Sequence, residues 1–541
     1  MLMTSRIACS FTLLSAVKGV IVAGKIFPAN FSRNCLSICF SSILKVLRLP
    51  FFYAIIEALL FTQGMQIMLP YEKNLVRCIL KKYIGNKAFY LMVFSIVLPI
   101  MIQNGISTFV NLLDNIMVGQ VGTEPMSGVA IVNQLNFIFQ LCTFGAISGA
   151  SIFGAQFYGS GNSEYLRYTF RFKIIICTII AITGVSIFWI FQEPLISMYL
   201  HEDGSGTDLE ATFRYAKEYL AIILVGLPPF AYTQMYASTL RETGQTRVPM
   251  FAGITAVCIN VVLNFVLIFG HFGAPTLGVS GAAIATVVSR FVELTILVIW
   301  THRHTDLYPF IIGAYRSLHI PGKLLADIIR KGCPLLVNEF LFSVGMALMS
   351  QCYSMRGLET VAAQNIASTI SNLFSISYMA MGSAISIIVG QLLGAGKMEE
   401  AVDTDRKLIA FALILCGFFG VIMALIAPLF PRMYNTTDSV RALAADFIRI
   451  LAVCMPLFAF TNASYFTLRS GGKTVITFLF DSCYIWVITL PVTFLLIHYT
   501  TLDITIIYFL SQAQDLIKCI IGAVLIHKRV WLNNIAAADV E

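Results

Sequence analysis

The sequence contains one long stretch twice. Pro99-Ile100, Gly122-Thr123-Glu124, Ser148, Ser151, Gln156 and Gly159-Ser160-Gly161 return as Pro334-Leu335, Gly357-Leu358-Glu359, Ser383, Ser386, Gln391 and Gly394-Ala395-Gly396. The register never slips between the paired prolines and the paired Gly-x-Gly (334−99 = 235; 359−124 = 235; 396−161 = 235). Chance matches of Gly and Pro do not hold one register across two long apolar stretches. Further on, Leu240-Arg241-x-x-Gly244-x-Thr246 matches Leu468-Arg469-x-x-Gly472-x-Thr474, with Pro228 on Pro456 and Glu218 on Asp446 (472−244 = 228). A duplicated helical bundle that lies in a membrane is the arrangement of proteins whose halves rock about a site between them.

The membrane follows from composition. Of 541 residues, 58% are hydrophobic and 12% charged, against about 25% charged in a soluble domain. So few charges cannot cover a water-facing surface of this size. Apolar runs of about 20 residues, the length of a membrane-crossing helix, recur along the chain; transmembrane β-barrels show alternating segments of about 10 residues instead. The expected fold is an all-α integral membrane protein with about twelve spans, near 89–117, 126–156, 168–192, 213–238, 248–270, 278–301, 333–355, 362–392, 407–430, 442–467, 474–498 and 504–526. Six spans per half is an even number, so the repeats run parallel, with their axis along the membrane normal.

This divides the chain into an N-terminal extension (1–85), an N-lobe (86–301), a cytoplasmic linker (302–332), a C-lobe (333–530) and a tail (531–541). The extension carries two apolar stretches, 7–24 and 35–64. A signal sequence, an interfacial segment and a later start near Met65 or Met68 are its three readings; Lys18 interrupts the h-region a signal needs, and the later start is preferred.

Basic residues cluster before the first span and in the even connections: Arg167, Arg171 and Lys173; Arg241 and Arg247; Arg303, Arg316, Lys323, Arg330 and Lys331; Lys397, Arg406 and Lys407; Arg469 and Lys473; then Lys528 and Arg529 in the tail. The third connection is acidic. The positive-inside rule then places both termini in the cytoplasm of a cell that carries the protein in its plasma (inner) membrane. The net charge of +8 needs no nucleic-acid partner. The 13 cysteines are dispersed and form neither a disulfide framework nor a zinc site. Gly471-Gly472-Lys473-Thr474 lacks its first P-loop glycine, because position 467 is Thr467, and Gly396-Lys397 is followed by Met398. Without a nucleotide site, uphill transport has to draw on an ion gradient. No clustered nucleophile, base or metal set supports an enzyme, and no cofactor is expected beyond a coupling ion.

Asp114 lies in the first span, roughly 22 Å along the axis from Pro99, with no Lys or Arg between Gln103 and Gln120. A lone carboxylate at that depth is costly and marks a functional site: it can exchange a proton, or bind a hard cation through oxygen. The alternative is a hydrogen-bonded cap near the helix end. Asn260 and Asn264, at i,i+4, share one helix face and offer either neutral ligands for a cation or interhelical glue. Glu339, the second lone acid, stands at the repeat position of Asn104 (339−104 = 235). Arg290/Glu293 and Asp515/Lys518 are each spaced i,i+3 and correspond with inverted polarity (515−290 = 225). Neutralisation one turn away makes structural salt bridges the preferred reading of both pairs over an ion pathway. Asp481 reads as an interfacial residue near the start of the eleventh span.

Leu98-Pro99-Ile100-Met101, Asp114-Asn115-Ile116-Met117-Val118-Gly119, Gly154-Ala155-Gln156-Phe157-Tyr158-Gly159-Ser160-Gly161, Leu240-Arg241-Glu242-Thr243-Gly244, Asn260-Val261-Val262-Leu263-Asn264 and Gly281-Ala282-Ala283-Ile284-Ala285-Thr286 together resemble the multidrug and toxic compound extrusion (MATE) family over about 85–530. The resemblance implies a V-shaped, twelve-helix monomeric antiporter that exports organic, mostly cationic, compounds against Na⁺ or H⁺. It implies that Asp114, Asn260, Asn264 and Thr286 hold the cation in the N-lobe, that the first helix bends at Pro99, and that Glu339, with Asn104 as its counterpart, serves the cleft and the C-lobe. Asn264 stands where some members carry Asp, and Phe458 where some carry a tenth-helix acid, which favours coupling in the N-lobe. The alternative function is a flippase for lipid-linked oligosaccharides, from the wider superfamily.

Overall fold

Several of the described connections between helices are punctuated by the residue their geometry demands. A computed structural model describes residues 83–200, 208–434 and 436–538; the readings for the extension fall on residues that lie, but for the last three, outside this range. Among the described residues the structure is helical, with twelve helices long and apolar enough to cross a membrane. They are α1 (Lys87–Gly119), α2 (Thr123–Gly159), α3 (Ser163–Ile190), α4 (Leu209–Glu242), α5 (Arg247–Phe269), α6 (Gly278–Arg303), α7 (Gly322–Ser354), α8 (Leu358–Gly394), α9 (Met398–Ile426), α10 (Asp438–Ser470), α11 (Thr474–Tyr499) and α12 (Ile504–His527).

Side-chain oxygens cap several starts. The Asn162 amide oxygen accepts from Tyr165 N at 3.1 Å, Asp208 from Glu210 N and Ala211 N at 3.0 Å, and Asp503 from Thr505 N at 2.7 Å, which satisfies N–H groups a helix leaves open. Gly161 (φ +75°) and Gly396 (φ +74°) follow the ends of α2 and α8, where a side chain would be strained. The repeated Gly-x-Gly is thus a backbone requirement of the two matching turns.

Three helix starts differ clearly from the sequence reading, for one reason: those of α3, α7 and α9, the last beginning at Met398 where 407 was expected. Charges end a hydropathy window without ending a helix. α3 begins at Ser163, so Arg167, Arg171 and Lys173 are helical, and α7 begins at Gly322, so residues 322–332 are its first turns. The connector proper is 304–321. Arg171 fastens it: its guanidinium donates to Gly313 O (2.9 Å), His319 O (3.0 Å) and Ala314 O (3.1 Å). Several residues counted as loop charges are in fact enclosed. Lys173 is fully buried, and Arg171 and Arg469 nearly so. The orientation argument keeps Arg167, Arg303, Lys397, Arg406, Lys407 and Lys473.

Pro99 lies inside α1 and cannot bond the carbonyl four residues back. That carbonyl, Ser95 O, receives the buried Thr246 hydroxyl at 3.0 Å. The break in the α1 ladder is therefore repaired from the start of α5.

The lobes meet where the repeat is most faithful. Gln156 on α2 donates to Ser470 O at 2.8 Å, and Gln391 on α8 donates to Glu242 O at 2.7 Å. These are repeat equivalents (391−156 = 235; 470−242 = 228). A Cβ on Gly159 would stand 2.0 Å from Gln391 O, and one on Gly394 would stand 1.8 Å from Gln156 O. Arg469 adds a bond to Ser148 O at 3.5 Å. The C-terminal segment seals the same seam: Trp531 is buried, and Ile535 N donates to Gln156 Oε1 at 2.7 Å. All these contacts sit at the ends of helices that face the even connections.

Candidate functional site

Inside the N-lobe, four side chains foreseen from sequence form one chain of contacts. Asn264 Nδ2 donates to Asp114 Oδ1 at 2.6 Å and lies 3.2 Å from Asn260 Oδ1, and Asn260 Nδ2 reaches Thr286 Oγ1 at 3.4 Å. α1, α5 and α6 supply them. The i,i+4 spacing on α5 turns both amides to the same side. Asn260 and Asn264 are buried and Asp114 half-buried. Two acceptors hold the Asn264 Nδ2, which leaves Asn264 Oδ1 buried with no hydrogen-bond partner. An orphan carbonyl oxygen beside a carboxylate is costly and is what a bound cation would relieve. Tyr219 of α4, buried beside Thr286, closes the site from the fourth helix; nothing in the spacing of α4 marked it.

Asp114 forms no ion pair among the described residues. Arg290 is held by Glu293 at 3.2 Å and lies over the Phe230 ring, so that expected pair stands. The second expected pair does not. Lys518 Nζ meets Asp481 Oδ1 at 2.6 Å instead of Asp515. The i,i+3 rule considers neighbours on one helix, whereas α11 shifts to i→i+5 bonding over Leu479–Cys483 and Ile485–Thr489, and Asp481 occupies the first of those turns. Its side chain is only 15% exposed, enclosed by protein around the Lys518 ammonium.

Glu339 Oε1 accepts from the Tyr465 hydroxyl at 3.3 Å. Asn104 does not join a matching site: among the described residues its side chain makes no hydrogen bond, and only its backbone carbonyl takes a side chain, the Thr108 hydroxyl at 2.9 Å. Its neighbour Gln103 engages the interior instead, accepting from Arg241 Nη2 at 2.8 Å. Two buried polar groups escaped the sequence reading. Lys173 Nζ sits 2.6 and 2.8 Å from the Glu242 carboxylate oxygens, and Asp405 Oδ1 accepts from the Thr467 hydroxyl at 2.6 Å. Asp405 carries a neighbouring arginine in sequence and Lys173 a nearby one, so all four residues read as ordinary surface charge and polarity.

The MatE family profile matches residues 99–266 and 334–495, one stretch in each half. A probable multidrug resistance protein NorM from Thermotoga maritima is 27% identical over 415 residues, 75% of this chain and 85% of that one. A probable multidrug resistance protein YoeA from Bacillus subtilis is 25% identical over 411 residues, 75% and 86% of the two chains. Among solved structures, the Vibrio cholerae MATE transporter VcmN shares the fold with a TM-score of 0.74 at 16% identity, covering 83% of this chain and 98% of its own. Two profile matches in the register of the repeat, on a chain with twelve helices long and apolar enough to cross a membrane, place it in the MATE family of membrane transporters.

Proposed function

We propose that this chain is a secondary active multidrug efflux antiporter of the plasma membrane, which exports organic, mostly cationic, compounds in exchange for Na⁺ or H⁺ by alternating access. The names of the NorM and YoeA relatives support the substrate class. The observation that carries ion coupling is the orphan Asn264 Oδ1 beside the unpaired Asp114. The even-connection side is read as cytoplasmic, with both termini there, so the sealed seam is the inner gate and the conformation faces outward. The protein works as a monomer with no cofactor besides its ion.

The hydrogen bonds suit an ionised, ion-free Asp114, because Asn264 turns its N–H toward the carboxylate. A proton on Asp114 Oδ1, or a sodium ion beside it, meets that N–H as a competitor and favours turning the amide oxygen inward instead. Asn264 also donates to Asn260, so the exchange disturbs how α1 packs on α5 and α6. Ion binding acts on the gate only through its unequal affinity for the two poses. Moving the equilibrium from 1:99 to 99:1 takes about 5.5 kcal/mol of difference.

The test is ethidium efflux from vesicles under separately imposed Na⁺ and pH gradients. Wild type follows one of them, and Asp114→Asn folds but shows no gradient-driven efflux. Normal efflux by Asp114→Asn removes this residue from the mechanism, and dependence on neither gradient removes ion coupling.

A further inference from the structure

The C-lobe has a charged cluster of its own, and its cation is covalent. Lys518 Nζ touches Asp481 Oδ1 at 2.6 Å, Asn338 Nδ2 reaches Asp481 Oδ2 at 3.2 Å, and Asn338 Oδ1 accepts from Ser482 N at 3.2 Å and Ser482 Oγ at 2.8 Å. Asn338 Nδ2 also lies 3.5 Å from the Tyr465 hydroxyl, which donates to Glu339. The rings of Phe480 and Tyr484 stand 5.3 and 6.0 Å from the ammonium, as rings stand around a bound cation. The Lys518 and Asp481 side chains are 9% and 15% exposed. Without the ammonium, what remains beside it is the Asp481 carboxylate and, one turn before the lysine on α12, that of Asp515, with Glu339 and the Tyr465 phenol beyond Asn338, carboxylate oxygens of the kind hard cations take.

The N-lobe is the complement of this arrangement. In repeat register, Asp481 and Lys518 answer to Gly253 and Glu293 (481−253 = 228; 518−293 = 225), while Asp114, Asn260 and Asn264 answer to Met349, Ile488 and Val492 (349−114 = 235; 488−260 = 228; 492−264 = 228). At these positions each lobe carries its acids at different places, and only the C-lobe sets a lysine against one of them.

We propose that Lys518 is a tethered counter-cation, occupying the C-lobe cation site so that the mobile coupling ion binds in the N-lobe alone. A lysine carries its charge through every cycle and cannot be exchanged across the membrane, so it fixes how many ions move per substrate. This inference rests on the ion-coupled reading above.

The experiment uses purified full-length protein and compares each variant with wild type in two measurements: radiolabelled sodium bound at saturation, and protons taken up in sodium-free solution as it is acidified. Lys518→Met gains one cation, sodium or proton. Lys518→Met/Asp481→Asn, with its charges balanced, returns to the wild-type number. Lys518→Gln keeps a donor toward Asp481 and makes the same gain where the methionine variant does not fold. A folded Lys518 variant with the wild-type number overturns the tether, as does a double variant that still gains a cation. Tetraphenylphosphonium is added to wild type as the substrate probe. If it displaces neither sodium nor protons, the coupled-transport reading fails first; displacement from wild type with no gain in the variants refutes the tether alone.

Discussion

Replacing Lys173 by Met strands one group, and the structure identifies it. Lys173 bonds the Glu242 carboxylate, Ser238 Oγ and Thr239 Oγ1. Both hydroxyls also donate to Met235 O at 3.0 Å, so they stay satisfied when the ammonium goes. Methionine fills nearly the same space, so the cavity contribution is small. Glu242 keeps less: the Ser151 side chain and the more distant charge of Arg469. The Glu242 side chain is 5% exposed, and Gly154 packs so close that a Cβ there would lie 2.0 Å from Glu242 Oε2. Breaking a buried pair by removing one partner costs about 3–5 kcal/mol, whereas replacing both by neutral groups is close to neutral. Lys173→Met should therefore be severely destabilised, and Lys173→Met/Glu242→Gln should recover most of the loss. Unfolding in detergent is irreversible, so the readout is the half-life of the monodisperse peak at a fixed temperature. The single variant should lose up to about a hundredfold, the rate equivalent of about 2.8 kcal/mol. Equal half-lives for Lys173→Met and wild type would refute the reasoning, and so would a double variant no more durable than the single one.

Thr246→Val leaves Ser95 O without its donor and should cost about 1–3 kcal/mol; adding Pro99→Ala supplies the missing N–H and should restore the heat half-life, whereas a double variant as weak as the single one would show that Thr246 acts elsewhere. Gly394→Ala puts a methyl 1.8 Å from Gln156 O and should hold the seam open, read as a longer distance between spin labels at Ser163 and Glu400; an unchanged distance would mean that the contact does not limit closure.

Legibility in the sequence followed the range of each signal. Span number, the repeat and the lone Asp114 are local or periodic, and they were readable. The partnership of Asp114 with Asn264 was readable as chemistry, because two amides on one face can serve one acid, but its direction was not: which amide donates and which oxygen is orphaned depends on packing. Lys518 was misassigned because its partner lies 37 residues away on another helix, beside a π-bonded turn. The seam escaped altogether. Gln156 and Gln391 stood in the repeated motif, yet they bond backbone carbonyls, which every residue possesses and no sequence pattern advertises.

Comparing the halves separates geometry from chemistry. Where the halves agree, equivalent residues make equivalent contacts with the other half's backbone: Gln156 bonds Ser470 O as Gln391 bonds Glu242 O, and Gly159 packs on Gln391 O as Gly394 packs on Gln156 O. A pseudo-two-fold contact has to be self-complementary, so a change in one half needs a matching change in the other. Where the halves disagree, the positions lie inside a single lobe, where symmetry imposes nothing: Asp114 against Met349, Gly253 against Asp481, Glu293 against Lys518. Drift alone would scatter such differences. Here they leave one lobe with an unpaired carboxylate and an orphan amide oxygen, and the other with a carboxylate already neutralised at 2.6 Å. On the ion-coupled proposal the lobes move as equals at the seam while the cation acts on one of them, and it biases the cycle only through its unequal affinity for the two poses.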